Sequence, residues 1–319
     1  MHSPRSVIEQ LRHWFPPVLG ILLLGVSMWA IRQELRQHSP QEIWDSLQAI
    51  PPKWVGMAML FTGLNYWALT GYDTLAIRYV GYALPYRKTA LVAIISYAIS
   101  NTVGLALLSG SALRYRFYSS WGLSSAKIAQ IIAFCNLSFW LGLFTVGGVL
   151  FTLEPIAVPT LLKLPFSSVY PLGIVFLGMT LAYLGWSFLG FQSWQIGKWT
   201  LPHLPIQFSL AQIAITALDW LLATAVLYVL LPSTNSLSFA GFFGIYLLAQ
   251  LAGLISNIPG GLGVFETVML MLISPPLPAH ELLGALLAYR GIYYLLPLTL
   301  ALLLLGGYEI AQRYSVPRH

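Results

Sequence analysis

From Ser209 to Leu231 the chain reads SLAQIAITALDWLLATAVLYVLL, an almost uninterrupted apolar run. Its 23 residues include one charge, Asp219, and a helix needs about 20 mostly apolar residues to cross the hydrocarbon core of a bilayer. The run is continuous and lacks the alternation of a barrel strand, so it reads as a membrane-spanning helix. The whole chain agrees with this stretch. Of its 319 residues, 57% are hydrophobic and 8% charged, and the mean hydropathy is +0.74. A soluble chain carries about 25% charged residues, so too little polar side chain is present to wet a surface. A soluble enzyme, an extracellular disulfide scaffold and a disordered protein are excluded together. The single Cys135 allows no intramolecular disulfide and no cysteine-based zinc site.

Apolar runs near 15-31, 54-72, 89-108, 128-153, 168-190, 209-231, 239-257 and 280-308 predict about eight transmembrane helices. The fold class is all-α, a polytopic integral membrane protein forming one transmembrane domain over 1-319, with no soluble domain. Arg5 and Arg12 precede the first run as in a signal peptide, but no small-residue cleavage site follows, so the run reads as a retained helix. In the segment 40-50, Ile43, Trp44, Leu47 and Ile50 fall at helical spacing opposite Glu42, Asp45 and Gln48, which predicts a short helix lying on the interface. Trp14, Trp54, Trp121, Trp194 and Trp199 sit near span ends, as in an aromatic belt. Loop Lys and Arg divide eight to seven between the two sides, so charge alone selects no orientation. The net charge of +6 suits anionic headgroups at the surface.

Two places interrupt the apolar pattern in a related way. One is Ile99-Ser100-Asn101-Thr102-Val103-Gly104-Leu105 and the other is Ile255-Ser256-Asn257-Ile258-Pro259-Gly260-Gly261-Leu262. Each has Ile-Ser-Asn, two residues, glycine and then leucine, with one extra glycine in the second. Transporters built from repeats carry broken segments at corresponding positions of two halves, and substrate binds there. Broken or re-entrant segments are therefore expected near 100-118 and 257-273. In the second, Pro259 donates no backbone hydrogen bond and Gly260 and Gly261 admit backbone angles that other residues avoid, so the chain leaves the helix. The run 262-273 then restarts as a helix too short to span, with its positive N-terminal end suited to a phosphate. A tight loop at the surface accounts for the same residues.

Each charge inside an apolar run needs a reason, because it costs at least ~2.5 kcal/mol at the bilayer centre. Glu266 stands in the first turns of the restarted helix and is expected to have a cationic partner, either Arg290 or the Arg114/Arg116 pair. Arg290 shares a helix face with Tyr293, Tyr294 and Pro297. Arg114 and Arg116, interleaved with aromatics, are candidates for gripping a phosphate, though interfacial anchoring produces a similar pattern. Asp219 is a candidate proton or cation site for coupled transport, or else the partner of an arginine. Asn101 and Asn257 would line the breaks. No Walker loop, no histidine pair inside a span and no Ser/His/Asp order is present, so no catalytic site, metal site or cofactor is expected.

Three motifs together resemble a known family: Ser109-Gly110-Ser111-Ala112-Leu113-Arg114-Tyr115-Arg116 with Trp121-Gly122-Leu123-Ser124; Pro259-Gly260-Gly261-Leu262-Gly263-Val264-Phe265-Glu266; and Tyr289-Arg290-Gly291-Ile292-Tyr293-Tyr294-Leu295-Leu296-Pro297. They resemble the membrane region of lysyl-phosphatidylglycerol synthase/flippase proteins, also called the multiple peptide resistance factor family. The resemblance runs from roughly 55 to 310. It implies a bacterial inner-membrane protein with a cytoplasmic amino terminus, whose helices move aminoacylated phosphatidylglycerol between leaflets and so confer resistance to cationic peptides. Bifunctional members continue into a soluble domain that transfers lysine from tRNA to the lipid. This chain stops at His319, so that domain is expected to be absent.

The expectation is therefore a lipid translocator in which Arg114, Arg116 and Arg290 bind lipid phosphate and Glu266 pairs with Arg290 or a headgroup ammonium. Gly260, Gly261, Tyr293 and Tyr294 complete the site. The expected partners are membrane phospholipid and a separately encoded lipid aminoacyltransferase, with no nucleic acid. Two other readings fit the same sequence: a membrane module that anchors or regulates a separate lipid-modifying enzyme, and the excised membrane region of a longer synthase.

Overall fold

A computed structural model describes residues 40–103, 106–156, 168–189, 194–196, 199–201, 204–232, 237–256, 258–274 and 277–315. The expected first span, near 15-31, lies outside the described residues. Within them the chain folds as helices α1 (Pro40–Gln48), α2 (Pro52–Tyr79), α3 (Tyr86–Val103), α4 (Ala106–Ser120), α5 (Ser125–Leu153), α6 (Tyr170–Leu189), α7 (Ile206–Leu230), α8 (Phe239–Ser256), α9 (Val264–Ile273), α10 (Ala279–Tyr289) and α11 (Leu296–Ser315). A small antiparallel ribbon, Trp194–Ile196 with Trp199–Leu201, precedes α7.

Among the described residues, five helical runs are long and apolar enough to cross a membrane: Ser125–Leu153, Tyr170–Leu189, Ile206–Leu230, Phe239–Ser256 and Ala279–Ala311. Helix α2, with 28 residues, is about 42 Å long at 1.5 Å per residue and also has the reach. Its composition is mixed because its inward stripe is polar. Thr62, Asn65, Tyr66, Tyr72 and Asp73 are buried there, whereas Leu60 and Trp67 point outward, Trp67 being 62% exposed. The same inversion runs through the molecule. Phe188, Leu153 and Leu303 are exposed, while Asp73, Arg114, Asp219 and Gln212 are buried. Large apolar side chains on the outside and charges inside are the arrangement that lipid, as solvent, favours.

The helices cross on small residues. A Cβ added to Gly148 of α5 would lie 2.9 Å from the backbone nitrogen of Leu177 in α6, and one on Gly173 of α6 would lie 3.0 Å from the carbonyl carbon of Phe151. Backbones that approach this closely gain dispersion contacts which lipid cannot replace. Gly148→Leu is expected to lower stability by about 1–3 kcal/mol through overpacking, read as a lower unfolding midpoint of the purified protein in detergent. An unchanged midpoint would mean that the α5–α6 crossing is looser than described.

The amphipathic segment near 40-50 forms α1, and its Ser46 and Leu47 rest on Gly284 of α10. Trp44 is not on that packed face but 55% exposed. The span expected over 89-108 is corrected: α3 ends at Val103 and α4 begins at Ala106. A Cβ on Gly110 of α4 would fall 2.4 Å from Ser100 Oγ of α3, so α4 folds back beside α3 as a hairpin. With 15 residues, α4 is about 22 Å long, too short to span. Helix α9, with ten residues, is shorter still and folds back beside α8, where the Phe265 and Tyr246 rings lie 5.6 Å apart.

The last run is one helix with a defect. Between α10 and α11, residues Arg290–Leu295 form a π turn, and the Leu296 N–H reaches Gly291 O, five residues back. Pro297 follows at once. Its ring and missing N–H prevent the ordinary bond to residue 293, and the wider turn accommodates it.

Candidate functional site

The two sequence breaks are the tips of the α3/α4 and α8/α9 hairpins, and the tips meet. At the second tip Ile258 is extended, Pro259 opens a single 3-10 turn, and Gly260 and Gly261 take φ of 59° and 61°. A Cβ on Gly260 would lie 3.4 Å from Thr102 O and 3.5 Å from Asn101 O, and one on Gly261 would lie 3.2 Å from Gly253 Cα. Left-handed backbone and contact on both sides leave glycine as the fitting residue at both positions. Asn257 lies outside the described residues. The Asn101 carbonyl forms part of the tip contact, so Asn101 does line the junction.

Arg290 holds this junction together. Its Nε donates to Glu266 Oε1 at 2.8 Å and its Nη1 donates to Gly260 O at 2.7 Å. Nη2 lies 2.6 Å from the same Glu266 oxygen, yet has no acceptor aligned with its hydrogens among the described residues. The guanidinium carbon sits 4.6 Å from the Tyr294 ring centre and 5.7 Å from that of Phe265. Glu266 is thus paired with Arg290 and not with Arg114 or Arg116. Its second oxygen accepts from the Gly263 N–H at 2.7 Å, reaching back to cap α9. The helix end that suits a phosphate is therefore filled by the protein's own carboxylate. Both partners are 13% exposed, so the pair stands at the edge of the packed core.

Arg114 and Arg116 do not act as a pair. Residues two apart on a helix point to different faces. Arg114 turns inward and forms a fork with Asp73, Nε to Oδ1 at 2.9 Å and Nη2 to Oδ2 at 2.8 Å. The Tyr118 hydroxyl donates to the same carboxylate at 2.8 Å, and the guanidinium stacks 4.6 Å from the Tyr97 ring centre. Arg116 turns outward to Glu309, with side chains 58% and 35% exposed. The expectation that both grip one phosphate is corrected, because Arg114 is buried with its fork filled.

Among the described residues no arginine pairs with Asp219. Asn65 Nδ2 donates to both its Oδ1 and its backbone carbonyl, each at 2.8 Å, and the Tyr72 hydroxyl donates to Oδ2 at 2.7 Å. Asn65 Oδ1 in turn accepts from the Tyr293 hydroxyl at 3.0 Å. Tyr293 stacks on Tyr289 with ring centres 5.2 Å apart and meets Tyr294 edge-on. The Tyr289 and Tyr246 hydroxyls are 2.7 Å apart, and Gln250 donates to Tyr246 at 2.9 Å. A continuous aromatic and polar network therefore connects Asp219 to the π turn that carries Arg290.

Asp73, Asn65, Tyr72, Tyr246 and Gln250 were not singled out in the sequence. Asn65, Tyr72 and Asp73 stand seven and eight residues apart, on one face of α2. The signal was that spacing, hidden where an apolar run was closed at residue 72.

The architecture defines a class, a polytopic helical membrane protein whose two helix breaks meet around an intramembrane ion pair. Comparison with known proteins gives the particular family. The family model for the lysylphosphatidylglycerol synthase TM region matches residues 17–301, and the chain belongs to that family. It is 53% identical to an uncharacterized protein of Synechocystis over 304 residues, covering 95% of this chain and 94% of the relative. It is 30% identical to the inner membrane protein YbhN of Escherichia coli, covering 95% and 92%. Similarity to the phosphatidylglycerol lysyltransferase of Staphylococcus haemolyticus is 25% over 262 residues, covering 76% of this chain but 30% of that protein.

Proposed function

We propose that this protein moves a phospholipid between the leaflets of the bacterial inner membrane, with its amino terminus in the cytoplasm. The observation that carries the reading is the Arg290–Glu266 pair, set where two helix breaks touch. Irregular backbone at membrane depth is tolerated where it is buried or lines a wet cavity, and ionisable groups there mark substrate pathways. Arg290 holds Gly260 O and Glu266, so a lipid phosphate that takes over the guanidinium releases both the tip and the cap of α9. A cationic headgroup, such as the amine of an aminoacyl ester, then has Glu266 as its counter-ion. Aminoacylated phosphatidylglycerol is the favoured cargo because relatives sharing this region are named for a lysyltransferase acting on phosphatidylglycerol. Its appearance in the outer leaflet would reduce the surface negative charge that attracts cationic peptides.

The test is reconstitution into vesicles that carry aminoacylated phosphatidylglycerol in the inner leaflet only, with exposure of the amine read by an impermeant amine reagent. Accelerated exposure over protein-free vesicles is expected, and an unaccelerated rate overturns the reading. A second reading, a membrane module serving a separate lipid-modifying enzyme, draws on the 70% of the staphylococcal lysyltransferase that this chain does not cover. It predicts no transport by the purified protein and recovery of a soluble transferase with it.

Tyr294→Leu is expected to slow transport several-fold while keeping the fold. It removes a cation–π contact worth about 0.5–2 kcal/mol to Arg290. Vesicle transport beside an unfolding scan checks both parts.

A further inference from the structure

The helical core described here contains three carboxylates and two guanidiniums. Asp73 is matched by Arg114 and Glu266 by Arg290, so Asp219, 7% exposed, has no cation among the described residues. The titratable groups that face it from neighbouring elements are Tyr66 and Tyr72 of α2, Tyr97 of α3, Tyr246 of α8 and Tyr293 of the π turn. The other charged groups of the described core are those two ion pairs. All of Asp219's direct partners are neutral donors. An unmatched carboxylate in the middle of α7 is costly as an anion in lipid. A protonated one there needs a donor that turns over to accept, and the Tyr72 hydroxyl on Oδ2 is able to do so.

We propose that Asp219 is a proton-carrying site coupled to the Arg290–Glu266 junction through Asn65 and Tyr293. This rests on the translocation reading for its cargo but not for its proton. On uptake an O–H bond forms at a carboxylate oxygen, and on release it breaks, the proton returning to water. No other species is consumed. The coupling runs through two hydrogen bonds. Asn65 gives its amide to Asp219 and takes the Tyr293 hydroxyl, and Tyr293 lies one turn from Arg290. Neutralising Asp219 weakens the pull on the Asn65 amide and so loosens the tie to the π turn. The occupancy of the carboxyl group is thereby linked to the segment that positions Arg290.

Infrared difference spectra between acid and neutral pH test the proton site with no lipid movement required. The native protein is expected to show a protonated-carboxyl carbonyl band, resolved from that of the exposed carboxyl groups, that Asp219→Asn lacks. Absence of the band, or its persistence in Asp219→Asn, overturns the proposal. In vesicles, a gradient of one pH unit corresponds to 1.36 kcal/mol. For one proton per lipid it should shift the leaflet distribution about tenfold, and Asp219→Asn should show no shift. A shift of native size in Asp219→Asn overturns the coupling. Should that variant fail to fold, Tyr293→Phe serves instead: it leaves the carboxylate and both of its donors in place, so the band should remain and the gradient response should vanish. A gradient response of native size in Tyr293→Phe overturns the coupling. A native band with no lipid movement at all overturns the translocation reading and leaves the proton site standing.

Discussion

Arg114→Ala is expected to be the most damaging single change in the protein, destabilising it by about 3–5 kcal/mol. Asp73 is wholly buried, and its carboxylate takes a two-bond fork from Arg114 and one bond from Tyr118. Removing the guanidinium leaves a buried anion held by one hydroxyl in the packed interior. The fork also ties α4 to α2, so the first hairpin loses its anchor. The pair itself contributes little net stability, since its desolvation offsets its attraction, and the loss comes from orphaning one partner. The double variant Arg114→Met with Asp73→Asn, which removes both charges together, is therefore expected to recover most of the stability. Arg116→Ala should change stability by no more than about 1 kcal/mol, because its pair with Glu309 is solvent-exposed. Unfolding midpoints of the three purified variants in detergent decide the point. An Arg114→Ala midpoint near native would mean that Asp73 finds another partner.

The second large effect is expected at the junction. Arg290→Lys should reduce transport at least tenfold although the charge is kept. Arginine serves Glu266 through Nε and Gly260 O through Nη1 at once, a geometry that a single ammonium on a flexible stem does not reproduce. Hydrogen bonds to charged groups are worth about 1.5–3 kcal/mol each, so losing one accounts for a tenfold effect. Glu266→Ala should be worse than Arg290→Lys, since it orphans Arg290 and uncaps α9 together. Transport rates in vesicles, compared with unfolding midpoints, check the order. Equal rates for Arg290→Lys and the native protein would show that the fork plays no part in transport.

The fold was legible because membrane helices declare themselves by length and apolarity, and Ser209–Leu231 needed no partner to be read. That Glu266 needs a cationic partner was also legible, since it interrupts an apolar run, but the sequence left Arg290 and the Arg114/Arg116 pair as alternatives and the structure chose Arg290. The breaks near 100-118 and 257-273 were legible too, but the residue at which the first one turns back was not. Nothing local separates a span ending at 108 from a helix that stops at Val103 and doubles back, because the deciding contact, Gly110 on Ser100, is tertiary. The pairing of Arg114 with Asp73 was hidden for a similar reason. Asp73 lies 41 residues away on another helix, and its place in an inward stripe shows only once α2 is followed past residue 72. Alternation in sequence suggested that Arg114 and Arg116 act together, whereas helical geometry sends them to opposite environments.

In the proposed transport the charged junction of the two helix breaks handles the lipid headgroup. The double variant Glu266→Gln with Arg290→Gln tests it most directly, because it removes both charges and leaves neither orphaned, so the fold is expected to survive. Exposure of aminoacylated phosphatidylglycerol on the outer leaflet is measured in reconstituted vesicles at matched protein incorporation. A rate indistinguishable from protein-free vesicles is expected beside a near-native unfolding midpoint. A native rate from the folded double variant would contradict this role of the junction.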